Sequence, residues 1–141
     1  MKKVYVLPAN EDWVVDRLVK EWYEDNSDMS THDMEKSDVV WLLGSWCWKS
    51  LPLEVLRSKK VVATVHHIVP DKFEKQRDDF YLRDKFVDVY HVYNDYTHNF
   101  VSRLTSKPVV FIPYWANQKI WKKTSEKEFL KSKYKIPHDK K

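Results

Sequence analysis

The sequence predicts an α/β fold with a Rossmann-like, doubly wound parallel sheet of about five strands and helices on both faces. Three observations carry this. Five short runs are continuously apolar rather than alternating, as strands buried on both faces are. Amphipathic or capped segments separate them, and proline or glycine closes most of the runs. The chain has 141 residues, enough for one core and too few for a second.

Each element has its own local reason. Lys3–Leu7 (KVYVL) is β-branched and aromatic and is closed by Pro8, which reads as a buried strand. Asn10-Glu11-Asp12 is a helix N-cap signature with acids in the first turn, and Val15, Leu18, Val19 and Trp22 share one face, predicting a helix over 11–24. Residues 25–37 are polar and without period, hence a loop. Val39–Leu43 is the second strand, ended by Gly44-Ser45. Ser50 and Pro52 open a short helix reaching about Arg57. Lys60–Val65 is the third strand. Pro70 with Asp71-x-x-Glu74 marks a helix start in a variant of the capping box. Val87–Tyr93 is the fourth strand, and Asn94 caps a helix whose Thr97, Phe100, Val101 and Leu104 share a face. Lys107-Pro108 stops it, and Val109–Ile112 is the fifth strand, closed by Pro113. Ser125-x-x-Glu128 caps a further helix.

Composition narrows function. Hydrophobic residues make up 43% and charged residues 33%, an ordinary globular balance. No apolar run approaches the roughly 20 residues that span a bilayer. The single cysteine, Cys47, forms no internal disulfide and offers no zinc-ligand spacing, which points to a reducing cytoplasm. The net charge of +4 is unevenly placed. Residues 119–141 hold nine Lys against Glu126, Glu128 and Asp139, whereas residues 1–118 hold 16 basic and 18 acidic groups. The body, at −2, lacks the basic face of a nucleic-acid-binding domain, and the Lys-rich end reads as a solvated helix face.

Ligands of such sheets bind at the carboxyl ends of the strands. There the sequence places Pro8–Trp13, Gly44–Trp48, His66–Pro70, Tyr93–Asp95 and Pro113–Asn117. With one glycine in the chain, Gly44, neither a Gly-x-Gly-x-x-Gly dinucleotide site nor a P-loop exists. His66 and His67 end the third strand and point to opposite faces. One is expected to be packed and the other solvated, and a histidine in that crevice suits general acid–base work or a hydrogen bond to a sugar hydroxyl or phosphate. The indoles of Trp46 and Trp48 offer faces to a sugar ring, or cover the sheet and pack under the next helix. Cys47 has no base partner, so a nucleophile role is not expected. Asn10, Glu11, Asp12 and Trp13 offer hydroxyl contacts, although capping alone accounts for Asn10.

Lys60–His67 (KVVATVHH) resembles the strand ending Thr-x-His in the N-terminal lobe of GT-B fold glycosyltransferases, the retaining family four. Val89–Asn94 and then Lys107-Pro108-Val109-Val110-Phe111-Ile112-Pro113 resemble the last strands of that lobe, with Tyr114-Trp115-Ala116-Asn117 where the family has Asn-Gly-Val-Asp. Phe129, Leu130, Lys133, Tyr134, Ile136 and Pro137 resemble the segment leading to the second lobe. The resemblance implies an acceptor-side lobe over 1–118, followed by a linker and helix over 119–141 that lead to a donor-binding lobe absent from the chain. It implies a sugar, glycan or lipid acceptor, a nucleotide-sugar as co-substrate rather than a cofactor, no metal, and no turnover by the lobe alone. His66 would be the catalytic residue, with Asn10, Glu11, Asp12, Trp13, Trp46, Trp48, His67, Asn94, Tyr114, Trp115 and Asn117 binding substrate. A cytoplasmic location, with peripheral contact at the inner face of a membrane, fits such a role. The alternative is a non-catalytic flavodoxin- or receiver-like binding module. In it Glu11-Asp12 would imitate the receiver's acids, but its central strand would end in His66 instead of Asp.

Overall fold

The computed structural model describes residues 1–119, 127–137 and 139. Among them five strands form one all-parallel sheet in the order β1-β2-β3-β4-β5: β1 (Val4–Val6), β2 (Val39–Leu42), β3 (Lys60–Val65), β4 (Val89–Val92) and β5 (Val109–Phe111). The intervening helices are α1 (Val14–Asp25), α2 (Leu53–Ser58), α3 (Pro70–Asp84) and α4 (Asp95–Val101), with a 3₁₀ helix at Ser45–Ser50; α5 spans Lys127–Lys133.

The strand pleat sorts side chains onto two faces. Val40, Leu42, Val61, Ala63, Tyr90 and Val92 are buried with Leu56 of α2, Phe73 and Phe80 of α3, and Val101 of α4. On the other face Val6 and Leu43 meet Val15, Leu18 and Val19 of α1, with Trp22, Trp41 and Trp115 packed around them. Each fully buried aliphatic side chain contributes about 1.5–3 kcal/mol, so α1 is held by its apolar stripe.

A strictly sequential order would make the α1 connection opposite in hand to the others, because it crosses the opposite face. The segment after α1 resolves this. Val4 donates its N–H to the Met29 carbonyl (2.9 Å) and accepts from Thr31 N–H (3.0 Å), forming a parallel bridge to Ser30. Both Val4 groups point away from β2, so the bridge lies on the outer side of β1. The chain runs outward from β1 through α1 to Ser30, returns, and then winds the other way from β2 to β5. All the connections share one hand, and the winding reverses between β1 and β2. A loop was expected at 25–37; it contains this one-residue remnant of an edge strand.

Local details depart from the sequence reading. Helix α1 begins at Val14, not at residue 11, because Asn10 and Asp12 take left-handed φ values of 57° and 53°, which no right-handed helix includes. Trp13 is its N-cap and Asn10 caps nothing. Asp71 does not cap α3: Val69 is the N-cap, Pro70 occupies the first turn, and Glu74 pairs instead with Arg77 at 2.9 Å. Asn94 does cap α4, accepting from Thr97 N–H at 2.8 Å. Lys131 is buried in α5, so the Lys-rich end is not uniformly a solvated face. Ser125 lies outside the described residues.

Candidate functional site

The winding reversal brings together the loops that follow β1 and β2, the place where open α/β sheets bind ligands. Trp46 donates from Nε1 to Glu11 Oε1 at 2.9 Å, tying the two loops across the crevice. Gly44 permits this. A Cβ there would lie 3.3 Å from the Trp46 ring, so a side chain would push the indole outward.

The β1 loop is wound around one carboxylate. Asp16 Oδ1 accepts the N–H groups of Ala9 (2.8 Å) and Asn10 (2.9 Å), and Oδ2 accepts that of Glu11 (2.8 Å). Burial acts to raise the Asp16 pKa, but these backbone hydrogen bonds outweigh it and hold the group below its ordinary value. A glycine-rich loop would turn such N–H groups toward a phosphate. Here the chain's own carboxylate occupies them.

Beside the crevice stands His66. Its Nε2 is 2.8 Å from the Leu43 carbonyl and its Nδ1 2.9 Å from the Tyr114 hydroxyl. A carbonyl only accepts, so Nε2 carries the proton and Nδ1 accepts from Tyr114. Burial lowers the His66 pKa, and His67 and His91 push it the same way against the Leu43 carbonyl. Around it lie the rings of Trp46 (5.9 Å between centroids), Tyr93 (5.2 Å) and Tyr114 (6.1 Å). Tyr93 and Tyr114 stack at 3.5 Å and 10°.

Directly behind runs a second ordered chain. Trp41 Nε1 donates to Thr64 Oγ1 (2.8 Å), Thr64 is 3.0 Å from His91 Nδ1, and His91 Nε2 is 3.0 Å from the Ile112 carbonyl. The same logic makes Nε2 of His91 the donor, so each proton in the chain has one place to go. Burial also lowers the His91 pKa. Each histidine thus fastens the segment after β5, one through Ile112 and the other through Tyr114.

No known protein family, curated protein or solved structure matches this chain.

The expected site residues separate into two groups. Glu11, Trp46, His66 and Tyr114 come together at the carboxyl edge. Trp46 and Tyr114 are 44% and 52% exposed, so both rings are open to a ligand. Asn10, Asp12 and Trp13 lie in the β1 loop without side-chain contacts to this cluster. Trp48 does not join it: the ring is 6% exposed, packs near Phe86, and donates to Asp79. The side chain of Asn94 is engaged by its cap. Trp115 donates to Glu21 Oε2 at 3.1 Å and packs toward Trp41, and Asn117 accepts from Lys119 N–H in a local turn. His67 is exposed and, like His66, follows the last residue of β3. Burial, together with Glu11 and Asp16, raises the Cys47 pKa, which disfavours the thiolate a nucleophile needs.

Thr64, His91, Tyr93 and Asp16 were not singled out by sequence. A signal for three of them exists: Thr64 and His66 are two apart across the end of β3, and His91 and Tyr93 two apart across the end of β4, a spacing that puts side chains on one face. Asp16 reads as an ordinary first-turn acid until Asn10 and Asp12 reverse the loop onto it. Among the described residues, no three His, Cys, Asp or Glu side chains group to hold a metal ion, and no helix is long and apolar enough to cross a membrane.

Proposed function

We propose that this chain is the acceptor-side lobe of a retaining GT-B glycosyltransferase, with donor nucleotide-sugar held by a second lobe outside these 141 residues. The observation that carries the reading is the cluster of His66, Trp46, Glu11 and Tyr114 at the carboxyl edge, beside the winding reversal. An exposed indole next to a carboxylate suits a saccharide, whose C–H face stacks while its hydroxyls donate. Neutral His66 offers Nδ1 as an acceptor, a position that the exposed Tyr114 hydroxyl holds until a substrate hydroxyl replaces it. The occupied Asp16 nest supports assigning nucleotide phosphates to another lobe. The resemblance of KVVATVHH to the family's Thr-x-His strand supports His66 as the catalytic residue.

Saturation-transfer NMR with methyl glycosides and N-acetylglucosamine tests the reading. Ring protons of at least one sugar should receive saturation, Trp46→Ala should abolish it with the melting temperature kept, and calorimetry should find no tight nucleotide-sugar binding. Absence of any saccharide contact, or tight nucleotide-sugar binding by these residues alone, would overturn it.

One observation favours a second reading. Counting the Ser30 bridge, the order becomes 2-1-3-4-5-6, the flavodoxin-like 2-1-3-4-5 with one further strand, and its second strand is reduced to a single pair. A binding module of that shape would give no saccharide contact in the same experiment. A phosphorylatable receiver is the weaker form of this reading, since β2 and β3 lead into Gly44-Ser45 and His66 with no carboxylate.

A further inference from the structure

On the other side of Trp46 and His66 a cleft of about 510 Å³ opens between the 3₁₀ helix and α3, within the size range of small-ligand pockets. Its walls are of two kinds. Val65, Ile68, Val69 and Phe73 form an apolar side, and Lys72, Lys75 and Arg83 of α3 supply cations, with His67 at the edge.

The charges do not balance. Asp79 is the one carboxylate lining the cleft among the described residues, and it is already engaged: Lys49 Nζ lies 2.6 Å away and Trp48 Nε1 donates to both its oxygens at 3.2 and 3.3 Å. Arg83 is 7% exposed and its guanidinium lies 5.5 Å from the Phe80 ring, yet its hydrogen bonds are two long ones from Nη1, each 3.4 Å, to Asp79 and to the Ser45 carbonyl. Its Nε is buried with no acceptor among the described residues. Lys72 and Lys75 are exposed and form no ion pair among the described residues. A buried guanidinium normally has acceptors for its donors, so the cleft is short of anionic oxygen.

We propose that this cleft binds a phosphomonoester whose remaining part is apolar, the phosphate between Lys72, Lys75 and Arg83 and the apolar part against Ile68, Val69 and Phe73. A dianion matches the uncompensated cations better than a single carboxylate does, and the apolar wall excludes a fully polar body. The inference does not depend on glycosyl transfer. If both hold, the acceptor carries its phosphate here and presents its hydroxyl toward His66.

Calorimetry with n-octyl phosphate below its micelle concentration is the test, with 1-octanol and inorganic phosphate as the two half-ligands. Octyl phosphate should bind at least tenfold more tightly than either half, and Lys72→Gln/Lys75→Gln should weaken it about tenfold or more without lowering the melting temperature. Equal binding of 1-octanol removes the anion site, equal binding of inorganic phosphate removes the apolar side, and no binding of octyl phosphate or no effect of the double variant overturns the whole. Saccharide binding at Trp46 is read separately, so the two proposals fail independently.

Discussion

The Tyr114 hydroxyl donates to Nδ1 of His66 at 2.9 Å while His66 Nε2 donates to the Leu43 carbonyl at 2.8 Å. One neutral ring therefore joins the end of β2 to the chain leaving β5, across β3 and β4. His91 repeats the arrangement one layer in, between Thr64 and Ile112. Protonating either ring puts a donor where Tyr114 or Thr64 must then turn its hydroxyl away.

The first prediction concerns pH. Both histidines have folded-state pKa values lowered from the ordinary 6.5, mainly by burial. As pH falls, the unfolded chain binds these protons first, so the stabilisation is fully present above about 6.5 and is lost as pH falls through the lower folded values. Urea denaturation should give less stability at pH 5.5 than at pH 7.5, and His66→Asn should flatten the dependence. Stability that stays level or rises over that interval contradicts the assigned neutral rings.

Thr64→Val should destabilise more than Thr64→Ser. The valine is close in shape but leaves Trp41 Nε1 and His91 Nδ1 without their shared partner in a buried site, a loss of about 1–3 kcal/mol. Serine keeps the hydroxyl and loses one methyl, costing about 0.8 kcal/mol. Chemical denaturation of both variants decides it, and the reverse order would show that the hydrogen-bond chain contributes nothing.

Asp16→Ala should cost about 1–3 kcal/mol, as removal of a cap does, because three N–H groups of the β1 loop lose their acceptor together. Asp16→Asn should cost less, since its one carbonyl oxygen still accepts. Hydrogen exchange at Ala9, Asn10 and Glu11 should accelerate in the alanine variant; unchanged protection would mean that the loop is held by something other than this carboxylate.

The last prediction follows from the proposed function and needs the lobe joined to its donor lobe. His66→Ala should lower kcat/KM by about 10²–10³-fold, mostly through kcat, as removal of one well-placed polar group in a site does. His67→Ala should have a small effect, because His67 is exposed and takes no part in the hydrogen bonds that hold His66. Rates from both variants, with melting curves to confirm folding, test this; near-normal turnover in His66→Ala removes the catalytic role.

Much of the fold was legible because buried parallel strands announce themselves locally. VVWLL, KVVATV and VVFI need no partner to be recognised, and Asn94 caps α4 through a contact only three residues long. The α1 start was misread for the opposite reason. Asn10-Glu11-Asp12 carries a capping signature, but the two left-handed residues turn it into a loop around Asp16, a choice between nearly equal local conformations that tertiary contacts decide. Trp46 and Trp48 look equivalent in sequence, yet one is open at the crevice and the other buried under α3, since a 3₁₀ turn sends neighbouring rings in different directions.

The sequence by itself determined the alternation of strand and helix and the residues at the carboxyl edge, which follow from periods of two and 3.6 residues. Only the tertiary structure decided the strand order, the Ser30 bridge that preserves a common hand, and the meeting of Tyr114 with His66 across 48 residues. Local periodicity constrains which way a side chain points. It carries no information about which distant backbone will be there to receive it, because that depends on how several buried surfaces close at once.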